Sequence, residues 1–105
     1  MAWFYLFIAG ALEVAWATGL KKLGFSFNWT LCVLTLLAMI ASIITLYAAM
    51  TRLPIGIAYP IWTGIGSVGS VLVGLLAFNQ SLSMSGIAGL VFLIAGMFLL
   101  GSDAH

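Results

Sequence analysis

Charge is what this sequence has least of. Lysine and arginine number three and acids two, 5% of 105 residues, while 65% are hydrophobic; a soluble domain carries roughly 25% charged residues. That balance excludes a water-soluble globule. A formal net charge of +1 leaves too few cations for a basic patch, so no nucleic-acid partner is expected. Cysteine is almost missing. Cys32 is the only thiol, which excludes an intrachain disulfide or a cysteine metal site and reads as a small buried apolar group. Proline occurs only at positions 54 and 60, so long stretches are free to run as helix. The one histidine is His105, with Asp103 two residues before it. No nucleophile, metal cluster or phosphate loop accompanies them, so neither an enzyme nor a cofactor nor a metal is expected, and both belong to a tail.

What is present is apolar length. A helix needs about 20 apolar residues to cross the hydrocarbon layer, and four runs qualify: Ala2 to Leu20, Trp29 to Met50, Ile55 to Phe78 and Met84 to Leu100. Open sheet edges cannot persist in lipid, so these are helices. The sequence predicts an all-α membrane protein of four transmembrane helices, one domain over 1–105. Ala15-Trp16-Ala17 imitates a signal-peptide cleavage site, but no basic n-region precedes it and three further spans follow, so the first helix is expected to stay. The connections are "KKLGFSFN", "TRLP" and "NQSLS", none long enough for a soluble module. Gly24 and Asn28 interrupt the first, Pro54 breaks the second, and Ser81, Ser83 and Ser85 surround the start of the fourth span. Trp3, Trp29 and Tyr47 lie near span ends as interfacial anchors.

With four spans, Lys21 and Lys22 share one side of the membrane and Arg52 the other. A difference of one residue is a feeble positive-inside signal, so the chain is expected to insert both ways up. Small residues form helical stripes: Ala9, Gly10, Glu13 and Ala17 on the first helix, and Gly66, Gly69 and Ser70 beyond Tyr59, Trp62 and Thr63 on the third. Such stripes let backbones approach without a hydrophobic driving force. Gly89 and Gly96, seven apart on the fourth helix with no polar company, read as a contact between subunits.

Glu13 is the acid that needs explaining. A carboxylate at mid-membrane costs a few kcal/mol by insertion scales, so a lone one marks function by default. No basic residue in the spans is placed to pair with it. Trp16 shares its face at i+3, and Tyr59, Trp62 and Ser42 come from the third and second helices. Together they form a candidate cation site: an anion, ring faces that favour cations and hydroxyls that orient the carboxylate. Desolvation favours a protonated carboxylic acid and an approaching cation favours the ionised one, so proton and cation compete. Competition at a site that opens to either side is antiport, with reciprocal linkage between the ligands. Four helices are too few to enclose a pathway, which points to a dimer; oppositely inserted copies would supply inverted-repeat symmetry. A non-transporting membrane subunit and a cation channel are the competing classes.

Through "LEVAWATGLK", "LPIGIAYPIWTGIG" and the Gly89/Gly96 pair, the chain resembles the small multidrug resistance family along its whole length, and within it the guanidinium exporter branch. The resemblance implies an antiparallel homodimer, or a pair with a paralogous subunit, in a bacterial inner membrane, exchanging protons for a small organic cation. It places both copies of Glu13 in one site lined by Trp16, Ser42, Tyr59 and Trp62, with Gly10 permitting close packing; Trp16 and Thr63 favour the guanidinium branch. Three departures stand out: Pro60 replaces a small residue and is expected to kink the third helix, Asn79 and Gln80 replace the family's "GE", and Gly101 stands where a lysine is common. Guanidinium suits carboxylate and hydroxyl acceptors in a fork geometry, whereas quaternary ammonium, choline or betaine-like solutes would use the aromatic rings. The sequence holds both kits.

Overall fold

A computed structural model describes residues 2–103; His105 lies outside them. Four helices follow one another: α1 (Ala2–Phe25), α2 (Trp29–Met50), α3 (Ile55–Ala77) and α4 (Met84–Ser102). Each is long and apolar enough to cross a membrane. At 1.5 Å per residue they measure about 29–36 Å, matching a hydrocarbon layer of about 30 Å.

The helix ends follow local chemistry. Asn28 caps α2, its side-chain oxygen accepting from the backbone N–H of Thr30 at 2.8 Å and of Leu31 at 3.4 Å. Ser83 caps α4 by accepting from the Gly86 N–H. Pro54 caps α3 through its carbonyl, which receives the Ile57 and Ala58 amides, and needs no N–H of its own at that place. At the far end of α3, Asn79 adopts φ 55°, the left-handed region that asparagine tolerates better than most residues, and the Gln80 N–H closes back on the Gly74 carbonyl at 3.0 Å.

Three boundaries differ from expectation. α1 does not stop at Leu20 but continues through Lys21, Lys22 and Gly24 to Phe25, leaving only Ser26 to Asn28 as the connection. Lysine is a good helix former whose stem can lie along apolar surface while its charge reaches water. α3 ends at Ala77, one residue early, and α4 extends to Ser102. Pro60 does not interrupt α3, which is helical from end to end.

The core lies toward the end of the bundle that holds Arg52. Leu6 and Ala9 of α1, Leu46 and Ala49 of α2, and Ile57, Ala58, Ile61 and Trp62 of α3 form one buried cluster. α1 packs on α2 and α3, whereas the backbone of α4 approaches only α3. No residue of α4 is buried. Between α4 and the α1–α3 pair an apolar cavity of about 410 Å³ remains, bordered by Trp3, Phe7, Ile65 and Met97.

Candidate functional site

Glu13 faces α3 from the middle of α1. The two helices approach so closely there that a methyl group on Gly66 would overlap the carboxylate and stand 2.9 Å from Glu13 Cγ. Glycine at 66 is what makes room for a long acidic side chain between two packed helices. The contact is repeated on both sides: Gly10 receives Ile65, whose Cβ lies 2.7 Å from where a methyl would be, and Gly69 receives Val14. α1 and α3 run parallel, so the three contacts advance together along both helices.

Ser42 and Trp62 do not reach the carboxylate directly; their polar groups converge on a backbone oxygen. Ser42 Oγ donates to the Ala9 carbonyl at 2.8 Å, and Trp62 Nε1 donates to the same carbonyl and to Ser42 Oγ, each at 3.2 Å. Both side chains are buried, Ser42 completely. In a regular α-helix the Ala9 carbonyl also receives the amide of Glu13. One carbonyl thus ties α2 and α3 to the turn of α1 that carries the acid, about 6 Å along the axis from it.

The groups left unspent are informative. Glu13 Oε1 and Trp16 Nε1 are shielded from solvent and have no hydrogen-bond partner; Thr35 Oγ1, packed against Gly19, is the third such atom among the described residues. A shielded polar atom without a partner is costly and asks for a ligand, a water or a second conformation. The bare acceptor and the bare donor lie about one turn apart on the same face of α1. Tyr59, 49% exposed, stacks edge-on against Trp62 with ring centres 5.4 Å apart, so aromatic surface extends outward from the buried core to the outside of the subunit.

Thr63 and Pro60 act on the helix itself. The Thr63 hydroxyl donates to the Tyr59 and Pro60 carbonyls at 3.1 and 3.0 Å, and Ser67 Oγ donates to the Thr63 carbonyl at 2.7 Å. The Pro60 ring removes from the ladder the amide that would reach the Gly56 carbonyl, while the Thr63 hydroxyl adds a second donor to the carbonyls of Tyr59 and Pro60. Gly89 and Gly96 are the opposite of Gly10 and Gly66: a methyl on either would meet nothing within 4 Å. The role of Ala9 carries no side-chain signal; only its place four residues before Glu13, on the small-residue stripe, hinted at it. The Gly19–Thr35 contact had no signal at all.

The carboxylate thus lies between two membrane helices with an oxygen that no protein group bonds. Comparison with known proteins agrees in kind. The family model for the Small Multidrug Resistance protein matches residues 1–93. The chain is 45% identical over 106 residues to a guanidinium exporter of Salmonella typhimurium strain LT2, covering all of both chains. It is 48% identical over 98 residues to a guanidinium exporter of Yersinia pestis, covering 92% of this chain and 93% of the relative. A guanidinium exporter of Citrobacter freundii is 43% identical over 105 residues, with complete coverage of both. With the intramembrane acid, the four spans and this full-length similarity in agreement, the chain belongs to the small multidrug resistance family.

Proposed function

We propose that this protein is a proton-coupled antiporter that exports small organic cations, guanidinium or guanidinyl compounds first, across a bacterial inner membrane. One observation carries the reading: the sole acid within the spans, Glu13, is seated against Gly66 with a shielded carboxylate oxygen that no group of the subunit hydrogen-bonds. A proton or a cation can satisfy that oxygen, and each weakens the other by linkage. Entry of a proton from one side releases the cation there; loss of the proton on the other side prepares the site again. Membership of the family and similarity to guanidinium exporters support this choice of activity and of substrate.

The working unit is a homodimer of oppositely inserted copies. The described residues form a slab only 16 Å thick in its shortest direction, too thin to surround a pathway. Tyr59 stands at the surface of the slab, and a second subunit facing it would bring the second Glu13 to the same site. α4, with nothing buried and Gly89 and Gly96 open, is the seam along which the copies meet. In this arrangement Trp16 and Tyr59 line the substrate space with Glu13, while Ser42, Trp62 and Gly10 hold α1 in place for it. A planar guanidinium can donate to two carboxylates at once.

Quaternary ammonium is the second reading, favoured by one observation: the polar groups of Ser42 and Trp62 are already engaged with Ala9, so ring faces supply much of the remaining surface. Purified protein in liposomes with an internal pH indicator separates the two. Guanidinium is expected to drive proton movement more strongly than tetramethylammonium or choline, and Glu13→Gln to abolish it while still assembling. A larger response to tetramethylammonium would transfer the assignment to the second reading, and silence with all three would overturn both.

A further inference from the structure

Beyond the acid, the seam between α1 and α3 leads to a second cavity at the end of the bundle that carries Lys21. It measures about 170 Å³, and its walls include Thr18, Lys21, Ser70, Phe78 and Gln80. Its walls carry more polar groups than those of the cavity beside Trp3. The Gln80 amide is laid over Gly74, where a methyl would overlap Oε1 and stand 3.1 Å from Cδ. The left-handed Asn79 and the bond from the Gln80 N–H to the Gly74 carbonyl fix that fold-back. Lys21 Nζ stands 5.1 Å from the centre of the Phe25 ring, which packs on Phe78 at 5.9 Å.

The donors decide what this cavity can hold. The Thr18 hydroxyl spends its hydrogen on the Val14 carbonyl at 2.8 Å, so Lys21, Ser70 and Gln80 are the wall residues whose side chains carry donors for a guest. No carboxylate balances them: of the two acids Glu13 is deep in the span, and Asp103 follows α4 at the opposite end, where Arg52 lies. The carbonyl ends of α1 and α3, which border the cavity, carry partial negative charge that falls off within a turn. Against it stand the two full positive charges of Lys21 and Lys22, which no acid at this end offsets.

We propose that the Lys21–Ser70–Gln80 cavity binds the phosphodiester of an anionic phospholipid. Its depth favours a lipid over a soluble anion: it opens where two membrane spans end, at the level of the headgroups, beside the apolar rings of Phe25 and Phe78, against which the first acyl carbons rest. The phosphate accepts from Lys21 and Gln80 in a charge-assisted pair of bonds. In oppositely inserted copies the cavity recurs once in each leaflet, so each leaflet anchors one subunit by its lysine end.

The test is native mass spectrometry of the full-length protein released from mixed phosphatidylglycerol and phosphatidylcholine micelles of matched chain length. The wild type is expected to retain phosphatidylglycerol over phosphatidylcholine by about fivefold, the scale of one lysine at an anionic surface. Lys21→Gln is expected to erase the preference, Ser70→Ala to reduce it, and Lys22→Gln, outside the cavity walls, to keep it; the same spectra report whether each variant assembles. A preference that survives Lys21→Gln, or that falls equally with Lys22→Gln, would mean a diffuse surface charge and overturn the site. Loss of retained lipid on adding millimolar inorganic phosphate would overturn the assignment to a lipid.

Discussion

α3 and α4 are neighbours of similar composition that use glycine in opposite ways. On α3, Gly66 faces the Glu13 carboxylate and Gly69 faces Val14, and an added methyl at either would collide. On α4, Gly89 and Gly96 face open space, and no residue of the helix is buried. The first pair has already been used to bring helices together inside the subunit; the second is available for a contact that one chain cannot make. The polar machinery divides in the same way. Glu13, Trp16, Ser42, Tyr59 and Trp62 all belong to α1, α2 and α3, and α4 adds only apolar surface beside the cavity at Trp3. One part of the molecule thus holds the polar groups and the other an unburied apolar face.

Substitutions can break this division, beginning with the largest effect. Gly66→Val drives branched carbons into the space of the Glu13 side chain; overpacking costs about 1–3 kcal/mol, and a displaced carboxylate lowers guanidinium–proton exchange by about 100-fold. Exchange rates in liposomes, compared with unfolding in detergent, measure both effects. Gly96→Leu is expected to leave the subunit intact and to weaken dimerisation by a similar 1–3 kcal/mol, read from the monomer fraction as protein is diluted into detergent. If it instead unfolded the subunit and left dimerisation alone, the contrast between the two helices would be wrong.

Smaller effects sharpen the picture within α1 to α3. Trp62→Phe removes the indole donor that Ala9 and Ser42 share and is expected to cost about 1–1.7 kcal/mol of stability. Ser42→Ala, which leaves Trp62 still bonded to the Ala9 carbonyl, should cost about 0.6 kcal/mol, the mean for membrane hydrogen bonds. Because the two side chains share a carbonyl and bond each other, the double variant should lose less than the sum. A double-mutant cycle by unfolding in mixed detergent checks this; strict additivity would show that the hub is not a unit.

Much of the architecture could be read from residue order. Apolar length gave four spans, and Asn28, Pro54 and the serines around Ser83 marked the breaks between them; that Asn28 and Ser83 cap the following helices through their side chains emerged only from the structure. The placement of Glu13 on a small-residue face was equally visible, because helical spacing puts positions 9, 10, 13 and 17 together. What could not be read was the pairing between helices. That Gly66, rather than Gly64 or Gly69, receives the carboxylate depends on how α1 and α3 slide against each other, which no periodicity encodes. Ser42 was expected beside the acid but spends its hydrogen on a backbone carbonyl, an acceptor that every residue carries and no residue name reveals. The end of α1 was misplaced because Lys21 and Lys22 read as loop by charge, though their helix propensity carries the chain on to Phe25.

The most direct test of the antiport account is proton release on substrate binding. Guanidinium added to detergent-solubilised protein in weak buffer, on the acidic side where Glu13 is protonated, should liberate protons from the wild type in proportion to the cation bound, and none from Glu13→Gln. Cation binding without proton release, or equal release from the variant, would contradict the claim that both ligands contend for this one carboxylate.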